Sequence, residues 1–494
     1  MLAELTQTTT LAPLVRELPA DLETPTSVYL KLRGRGPSFL LESVEGGERI
    51  ARYSFIGVEP RAQYVLWGRT LECRSASGVG TVRLEAGEDP LRFLESELAA
   101  YSQRRNAESD ETSRKGLPRF IGGLVGFLGY ETVRYFEPKL EPRLAEGPTP
   151  DAIFLLVDTL VAFDHARRSL FLIVHPFDGA EAAQRKLDAL EARLRAPLAA
   201  QPEASGQLLP PTFQSNRTQP EYEALVLAAK EHIAAGDIFQ IQVSQRFSRS
   251  TTAQPFDIYR AVRRLNPSPY MFYFEFGDML VDGEPFYLVG ASPEMFVRLE
   301  GRCASQRPIA GTRPRGQTPE ADAALEKELL ADPKERAEHV MLVDLARNDL
   351  GRVCGYGSVG VPEFFVIERY SHVMHLVSHV EGLLRPGLTA FDLVRASFPA
   401  GTVTGAPKVR AMEIISDLEA DARGPYAGAV GYFGFDGAMD ICLAIRTLVG
   451  RGQTVSVQAA AGIVADSDPA SEYQETVNKA KAMLKAVELA EKNG

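Results

Sequence analysis

Arginine and glycine are concentrated in one short segment, and this combination suits the binding of anions. The segment runs from Gln306 to Gly316, reads Q-R-P-I-A-G-T-R-P-R-G, and has arginines at 307, 313 and 315. Glycine allows a ligand to approach backbone N–H groups closely, and the guanidinium fork matches the geometry of a carboxylate. The same composition fits a basic surface loop between a strand and a helix. The pattern indicates anion binding but leaves that structural alternative open.

Two glutamates lie on separate predicted helices, one within the apolar stripe of its helix and the other nearly opposite that of its own. Asp332 and the proline after it predict a helix start, and Glu338 then falls in the apolar stripe of that helix. An inward-facing carboxylate needs a cation or a strong donor, which could be a metal or an internal salt bridge. Glu475 lies on the last helix, nearly opposite its apolar stripe, with Lys479 on the same face. Periodicity alone therefore predicts that Glu475 is solvated.

Three nearby histidines raise the possibility of a zinc site. His372, His375 and His379 lie within eight residues of one another. The alternating pattern of residues 373–380 predicts a strand, which turns His375 and His379 to one face and His372 to the other. Because no third ligand is fixed on one face, the pattern disfavours zinc.

Other polar residues have both a functional and a structural interpretation. Arg446 falls in a predicted apolar strand, Ile441–Val449, where a guanidinium needs a carboxylate from a ligand or from the protein. Glu294 follows a proline, and a glutamate in that position is usually exposed. The segment from Gly401 to Gly405, G-T-V-T-G, predicts a tight turn whose hydroxyls face a ligand or their own backbone.

The elements that must position these residues alternate between strands and helices, which indicates an α/β-type layered protein. We predict an N-terminal domain at 1–200, a Pro/Gln/Ser-rich linker at 201–218 and a catalytic domain at 219–494. The glycine-rich run Phe120–Tyr130 lacks the G-K-[ST] of a phosphate loop. We predict instead an apolar strand whose glycines allow close backbone packing.

The overall composition is that of an ordinary soluble globular protein, which we expect to be cytoplasmic. The 494 residues carry a net charge of −11, which argues against nucleic acid or an anionic membrane as a partner. The four cysteines are widely spaced, so neither a disulfide framework nor a thiolate metal site is expected. We also expect no secretory leader and no membrane-spanning helix.

Several motifs together resemble those of the chorismate-utilising enzymes, and in particular the large (component I) subunits of anthranilate synthases. They are S-P-E at 292–294, P-I-A-G-T at 308–312, R-N-D-L-G-R at 347–352 and E-Y-Q-E-T-V-N-K at 472–479. The likeness extends from about residue 39 to about residue 485. It implies an α+β fold, a layered sandwich of large, mainly antiparallel sheets flanked by helices.

The resemblance also implies a set of functional residues. Glu338 and Glu475 are the implied Mg²⁺ ligands, Glu294 the general acid that protonates the departing 4-hydroxyl of chorismate, and His375 a group tied to aromatisation. Gln240 and Thr402 complete the implied catalytic set. The implied substrate contacts are Gly311, Thr312, Tyr426, Arg446, Ala460, Ala461, Gly462 and Lys479.

Two positions separate this sequence from relatives with other products. Aminodeoxychorismate synthases carry a nucleophilic lysine at the position of Ala310, and isochorismate and salicylate synthases carry a water-activating lysine at the position of Gln240. Alanine closes the covalent route, and an amide cannot act as a base, although it can orient ammonia. The resemblance therefore implies ammonia as the nucleophile and anthranilate as the product, with the other two activities as alternatives.

A partner and an inhibitor are implied in the same way. None of the cysteines lies in a G-x-C-x-G turn, so ammonia is expected from a separate glutamine amidotransferase subunit, in a heterotetramer. Ser43, Pro269, Tyr270 and Met271 resemble the contacts of an L-tryptophan feedback site. Plain packing of a strand end and a proline turn is the structural alternative. A non-catalytic tryptophan-binding protein is a remote alternative, which would predict loss of one of the three key glutamates.

Overall fold

A computed structural model describes residues 12–34, 36–43, 52–102, 116–199, 212–277, 283–370 and 373–493 of the chain. Two 12-stranded sheets dominate the described residues, and every pair of neighbouring strands in them is antiparallel. Helices flank the sheets, so the fold is an α+β layered sandwich, as expected.

The first sheet has the strand order β1-β10-β9-β3-β2-β13-β14-β23-β24-β12-β11, with β20 paired to β12. Its strands are β1 (Leu14–Pro19), β2 (Ser38–Glu42), β3 (Tyr53–Val58), β9 (Thr159–Asp164), β10 (Ser169–Val174), β11 (Gln214–Ser215), β12 (Gln240–Ser250), β13 (Tyr270–Gly277), β14 (Phe286–Ser292), β20 (Gly405–Ala406), β23 (Thr447–Arg451) and β24 (Thr454–Ile463).

The second sheet has the order β17-β19-β16-β15-β22-β21-β7-β8-β4-β5-β6, with β18 paired to β19. Its strands are β4 (Ala62–Trp67), β5 (Thr70–Ser75), β6 (Gly78–Arg83), β7 (Gly123–Leu128), β8 (Ala152–Val157), β15 (Met295–Glu300), β16 (Cys303–Gln306), β17 (Ile309–Pro314), β18 (Gly360–Arg369), β19 (Val373–Leu383), β21 (Ala429–Gly434) and β22 (Met439–Leu443).

Ten α-helices lie within the described residues. They are α1 (Pro25–Leu32), α2 (Pro90–Ser102), α3 (Ala180–Arg195), α4 (Gln219–Ala234), α5 (Pro255–Leu265), α6 (Pro319–Ala331), α7 (Pro333–Gly351), α8 (Ala390–Ser397), α9 (Lys408–Leu418) and α10 (Pro469–Asn493), with short 3₁₀ turns at Tyr130–Tyr135, Pro138–Arg143 and Gly401–Val403. No helix of the described part is long and apolar enough to cross a membrane.

The two sheets pack face to face through an aromatic core. Phe55 of the first sheet meets Tyr432 of the second edge-on, with ring centroids 6.0 Å apart. Phe120 lies 4.3 Å from the same tyrosine ring. Phe274 and Phe286 are fully buried in this cluster. Because aromatic rings bury large apolar areas, this layer holds the sheets in a fixed relation.

The glycine-rich run is the packed strand that the sequence predicts. A Cβ atom at Gly126 would lie 1.9 Å from the carbonyl oxygen of Ile153, and one at Gly123 would lie 2.0 Å from that of Phe433. Both oxygens belong to strands that pair with β7. Glycine is therefore required because the neighbouring backbones approach closely.

Strands from both sides of the 201–218 segment pair within the same sheets. β2 pairs with β13 in the first sheet, and β7 pairs with β21 in the second. The division into an N-terminal domain, a linker and a catalytic domain stays a prediction, but this segment does not separate two sheets. Residues 201–211 lie outside the described part, and Thr218 forms the capping box that starts α4.

The predicted strand Ile441–Val449 is wrong in one respect that matters for the site. β22 ends at Leu443, β23 begins at Thr447, and the two strands belong to different sheets. Arg446 lies in the crossing between them with a φ of 51°. An arginine in the left-handed region costs roughly 1–3 kcal/mol, so the surrounding structure must hold it there.

Candidate active site

The α7 helix presents Glu338 to Gln240, the first residue of β12 in the first sheet. The Asp332 carboxylate caps the helix by accepting from the backbone N–H groups of Lys334 and Glu335, at 2.9 and 3.2 Å. One turn later, Glu338 Oε1 accepts from Gln240 Nε2 at 3.0 Å. Burial raises the pKa of Glu338, while the Gln240 hydrogen bond opposes the rise. The inward orientation predicted from periodicity is confirmed.

The α10 helix brings a second carboxylate and a lysine to the same region. Lys479 Nζ lies 2.6 Å from Glu475 Oε1 and donates to the Ala460 carbonyl oxygen at 3.0 Å. The charge of Lys479 also opposes the rise in the pKa of Glu338, so the two helices face one cleft. The Glu475 side chain is 47% exposed. It therefore lies at the rim of the cleft, and the solvated position predicted from periodicity is confirmed.

Glu472 is a functional candidate that the sequence analysis did not select. It is buried, its pKa is raised by burial, and its electrostatic neighbours include Glu475 and Lys479. The available signal was spacing: Glu335-x-x-Glu338 and Glu472-x-x-Glu475 each place two carboxylates one turn apart. Both helices therefore carry an acidic pair at this cleft.

Arg446 lies where the two sheets meet, beside several predicted substrate contacts. Its Nη1 donates to the Lys479 carbonyl oxygen at 2.6 Å. Burial lowers the pKa of Arg446, and the neighbouring Tyr426 and Glu475 oppose that change. Tyr426 is itself buried, which raises its pKa to about 12, and the Ala460 backbone N–H opposes this rise. A cation, a phenol and a backbone donor thus converge at one place.

The Ala460–Gly462 backbone is positioned by its ladder with β12. In the antiparallel register, Ala460 pairs with Ser244 and Gly462 pairs with Gln242. A Cβ atom at Gly462 would lie 2.8 Å from Gln240 Nε2. The glycine therefore leaves room for the amide that contacts Glu338.

His375 contacts the glycine–threonine pair of the P-I-A-G-T motif. Its Nδ1 lies 3.0 Å from the Gly311 carbonyl oxygen and 3.1 Å from Thr312 Oγ1. Because a carbonyl oxygen only accepts, we assign the proton to Nδ1, which leaves Nε2 as the basic nitrogen. Burial lowers the pKa of His375, and the charge of Arg446 adds to this effect. The imidazole is therefore a neutral base.

Of the other two histidines, only His379 lies within the described residues. His379 Nε2 lies 3.5 Å from Glu381 Oε2. His372 lies outside the described residues. Within the described ranges, no three His, Cys, Asp or Glu side chains are grouped so as to hold a metal.

Glu294 is the most strongly perturbed acid of the predicted set. It lies between β14 and β15, is only 9% exposed, and its carbonyl oxygen accepts from Leu443 N at 3.1 Å. Burial raises the pKa of its carboxyl to about 8, and the adjacent Thr402 hydroxyl opposes the rise. Thr402 Oγ1 has no well-aligned hydrogen-bond partner among the described groups. Glu294 is thus protonated at neutral pH, unlike the exposed glutamate expected after a proline.

The three arginines of the 306–316 segment are engaged in ion pairs within the fold. Arg307 pairs with Glu368, and Arg315 lies 2.9 Å from Asp322. Arg313 binds three carboxylates, those of Glu328, Asp332 and Glu335, at 2.9, 2.8 and 3.1 Å. The structure thus favours internal ion pairing over binding of an anionic ligand by these three side chains. What the segment contributes to the site is its Gly311–Thr312 backbone and hydroxyl.

The acidic pairs of α7 and α10 offer carboxylate oxygens, the ligand type of a hard divalent cation, without forming a three-ligand cluster within the described residues. Glu338, Glu472 and Glu475 share the charge of Lys479, with Lys334 as the further cation acting on Glu338 and Glu472. Burial of Glu338 and Glu472 outweighs these charges and raises both pKa values. A cation bound by two carboxylates and completed by water or ligand oxygens would relieve this, as Mg²⁺ does in proteins. The residues present therefore fit the expected metal.

A second cavity brings together the four residues predicted to bind an inhibitor. Ser43, Pro269, Tyr270 and Met271 line a cavity of about 40 Å³ between the two sheets. Ser43 Oγ is buried without a hydrogen-bond partner among the described residues. Tyr270 Oη donates to Asp440 Oδ1 at 3.1 Å.

Comparison with known proteins agrees with this fold. The profile of the chorismate binding enzyme family matches residues 36–485. The chain is 48% identical over 488 residues to anthranilate synthase component 1 from Pseudomonas putida, covering 97% of this chain and 96% of that protein.

Solved structures give the same result. Anthranilate synthase component I from Streptococcus pneumoniae TIGR4 is 35% identical, with a TM-score of 0.75, and the match covers 94% of this chain and 99% of that one. The menaquinone-specific isochorismate synthase from Escherichia coli shares the fold at 20% identity and a TM-score of 0.69, over 97% of this chain and 95% of that one.

The family profile and the fold together define the class of chorismate-binding enzymes. The sequence identities are more specific than the fold. The chain belongs to the chorismate binding enzyme family, on its anthranilate synthase component 1 branch.

Proposed function

We propose that this protein is the large subunit of a magnesium-dependent anthranilate synthase in tryptophan biosynthesis. It converts chorismate and ammonia into anthranilate and pyruvate, with ammonia supplied by a glutamine amidotransferase subunit and with tryptophan as feedback inhibitor. The relatives named anthranilate synthase component 1 support the reaction, and the converging cation, phenol and backbone donor support an anionic substrate.

One contact carries the choice of nucleophile. Gln240 donates to Glu338 at 3.0 Å, so a neutral amide faces the cleft where a lysine would be needed to activate water. An amide can neither accept a proton at neutral pH nor supply a base. Ala310 has no nucleophilic atom. Ammonia is therefore the nucleophile that these two residues permit.

The substrate is held by groups that recognise carboxylates. Arg446 and the Ala460–Gly462 backbone bind one carboxylate, with Tyr426 as a further donor. Lys479 and the Gly311–Thr312 pair complete the anion contacts. A buried guanidinium without a carboxylate partner is costly, so binding of the anionic substrate completes this part of the site.

The proton transfers fall to two residues with shifted pKa values. Ammonia attacks C2 of the ring while Glu294 donates its proton to the 4-hydroxyl, which leaves as water. Nε2 of His375 then takes the ring proton at C2 as pyruvate is eliminated, which makes the ring aromatic. A carboxyl with a pKa of about 8 is protonated at neutral pH, and an imidazole with a lowered pKa is unprotonated there.

Glu338 and Glu475 would hold Mg²⁺ at the mouth of this site, with Glu472 close by. The ion would supply positive charge next to a substrate carboxylate and so neutralise three crowded anions. Lys479 would then turn from Glu475 toward the substrate.

The test is direct. The purified chain is incubated with chorismate, Mg²⁺ and ammonium at mildly alkaline pH, and anthranilate fluorescence is followed with and without tryptophan. Fluorescence that requires Mg²⁺ and disappears with tryptophan supports the proposal, and glutamine alone should not replace ammonium. Chorismate consumption without anthranilate would indicate an aminodeoxychorismate, isochorismate or salicylate synthase. Tryptophan binding without chorismate consumption would indicate a non-catalytic regulatory protein.

A further inference from the structure

A small cavity beside Glu294 contains polar groups that the proposed mechanism does not use. It measures about 30 Å³, and its polar lining includes Glu294, Gln306, Asp349 and Thr402. This volume accommodates a water molecule, which needs roughly 10–15 Å³ and two to four polar partners. Apolar side chains of α7 form one part of the wall, and residues 295–296, 307–308 and 400–401 complete it.

Asp349 is held in this wall by a buried ion pair. Both of its carboxylate oxygens lie 2.9 Å from Lys408 Nζ, which also donates to the Ser397 carbonyl oxygen at 2.8 Å. Asp349 is 3% exposed. The desolvation cost of a buried ion pair offsets its attraction. Stabilisation of the fold alone therefore does not account for this pair.

The ion pair fixes the direction of the next hydrogen bond. Gln306 is 6% exposed, lines the same cavity as Asp349 and Glu294, and favours the ionised form of the Asp349 carboxyl. An ammonium only donates and a carboxylate only accepts, so Gln306 must use its amide N–H toward Asp349. Its Oε1 is then left as an acceptor for the cavity.

We propose that Asp349 and Lys408 are positioning residues for the proton donor: they orient the Gln306 amide so that its oxygen accepts the Glu294 proton, directly or through one water molecule. The inference rests on the proposed function in taking Glu294 as the acid. An acceptor aimed at a carboxyl favours the protonated form.

The charged groups around this arrangement are few. Arg307 also lines the cavity, but it pairs with Glu368 and Glu363. Arg352 acts on Asp349 together with Lys408. Neither arginine replaces the amide as the group that faces the acid.

The decisive variant is Asp349→Asn. An asparagine at this position can donate to Gln306, which frees the glutamine to turn its own N–H groups toward Glu294. The protonated acid then loses its acceptor, and we expect its ionisation to move about one pH unit lower, a tenfold change in its ionisation constant. Infrared spectroscopy measures this ionisation without turnover, through the band of the protonated carboxyl. Subtracting the spectrum of the same protein carrying Glu294→Gln isolates the band that belongs to Glu294.

Turnover provides a second readout. The alkaline limb of the pH profile of kcat, measured at a constant concentration of free ammonia, should move to lower pH by the same amount. The KM for chorismate should stay within about twofold of wild type. If the Asp349–Lys408 pair only stabilised the fold, the variant would change stability and leave the pH of the alkaline limb unchanged.

Two further variants make the outcome unambiguous. The double variant Asp349→Leu with Lys408→Met replaces the buried pair by apolar groups, so it should keep the fold even if Asp349→Asn does not. It should shift the ionisation of Glu294 in the same direction. The control is Glu491→Gln, which breaks the equally buried pair with Arg249 (2.6 Å) at the far end of β12 and should leave the ionisation unchanged.

Folded Asp349 variants whose Glu294 ionises at the wild-type pH in the infrared would overturn this inference. An infrared shift in a chain that makes no anthranilate would support it and count against the proposed function instead.

Discussion

Replacing Glu294 by glutamine should make the protein slower and at the same time more stable. In the unfolded chain this carboxyl ionises near its ordinary value of 4.5, whereas burial in the folded chain raises its pKa to about 8. Above pH 4.5 the unfolded state therefore binds fewer protons than the folded state, so raising the pH favours unfolding. This loss of stability is complete once the folded carboxyl has also ionised, above about pH 8.

The size of the effect follows from the two pKa values. They differ by about 3.5 pH units, and at 1.36 kcal/mol per unit the cost to the folded wild type reaches about 5 kcal/mol. Glutamine keeps the shape of the side chain but does not ionise. The stability of Glu294→Gln relative to wild type should therefore increase between pH 4.5 and pH 8 and stay constant above it. Without its proton donor, the variant should lose about 10²–10⁴-fold in kcat.

Denaturant unfolding of both proteins at several pH values from 4.5 to 9 measures the difference in the free energy of unfolding. The exposed Glu300 on β15 offers a matched control, since Glu300→Gln should follow the wild-type pH dependence. A stability difference that does not change with pH, or wild-type kcat in Glu294→Gln, would refute the reasoning.

Three other predictions concern packing, a buried ion pair and regulation. Gly126→Ala should lower the free energy of unfolding by several kcal/mol, because its Cβ would lie 1.9 Å from a backbone oxygen, while Gly80→Ala, which meets nothing within 4 Å, should change denaturant stability little. Arg423→Met should cost about 3–5 kcal/mol in the same assay, because it leaves the buried Glu419 without its cation at 2.7 Å; unchanged stability would argue against a structural role for this pair. Ser43→Phe should fill the small cavity and abolish inhibition by tryptophan, with uninhibited anthranilate formation within about twofold of wild type. Retained tryptophan sensitivity would contradict the assignment of that cavity.

Local signals in the sequence are enough to predict individual helices. α3, Ala180–Arg195, is one such helix, because its amphipathic period is complete within the helix itself. The inward position of Glu338 follows in the same way from Asp332 as the cap and from the apolar stripe. The glycines of the run at 120–130 are equally informative, since an apolar strand tolerates them only where backbones approach closely.

Features that depend on pairing between distant segments could not be predicted in this way. The sequence around Arg446 is apolar on both sides, and nothing local shows that β22 and β23 belong to different sheets. The charges at Arg313 and Arg315 are visible in the sequence, but their acidic partners lie on α6 and near the start of α7, and only the fold brings them together. Pattern analysis therefore identified cations without distinguishing ligand binding from internal pairing.

The burial of Glu294 is the clearest example of information carried by the fold. A glutamate after a proline suggests a surface turn, yet β14 and β15 belong to different sheets, and the turn between them lies inside the sandwich. The same topology connects the proposed regulatory cavity with the acid. Tyr270 of that cavity pairs with Ser292 in the β13–β14 ladder, two residues before Glu294. A shift of Tyr270 on ligand binding would thus act directly on the end of β14, two residues before the proton donor. The proposed inhibition therefore requires only this short connection between the cavity and the acid.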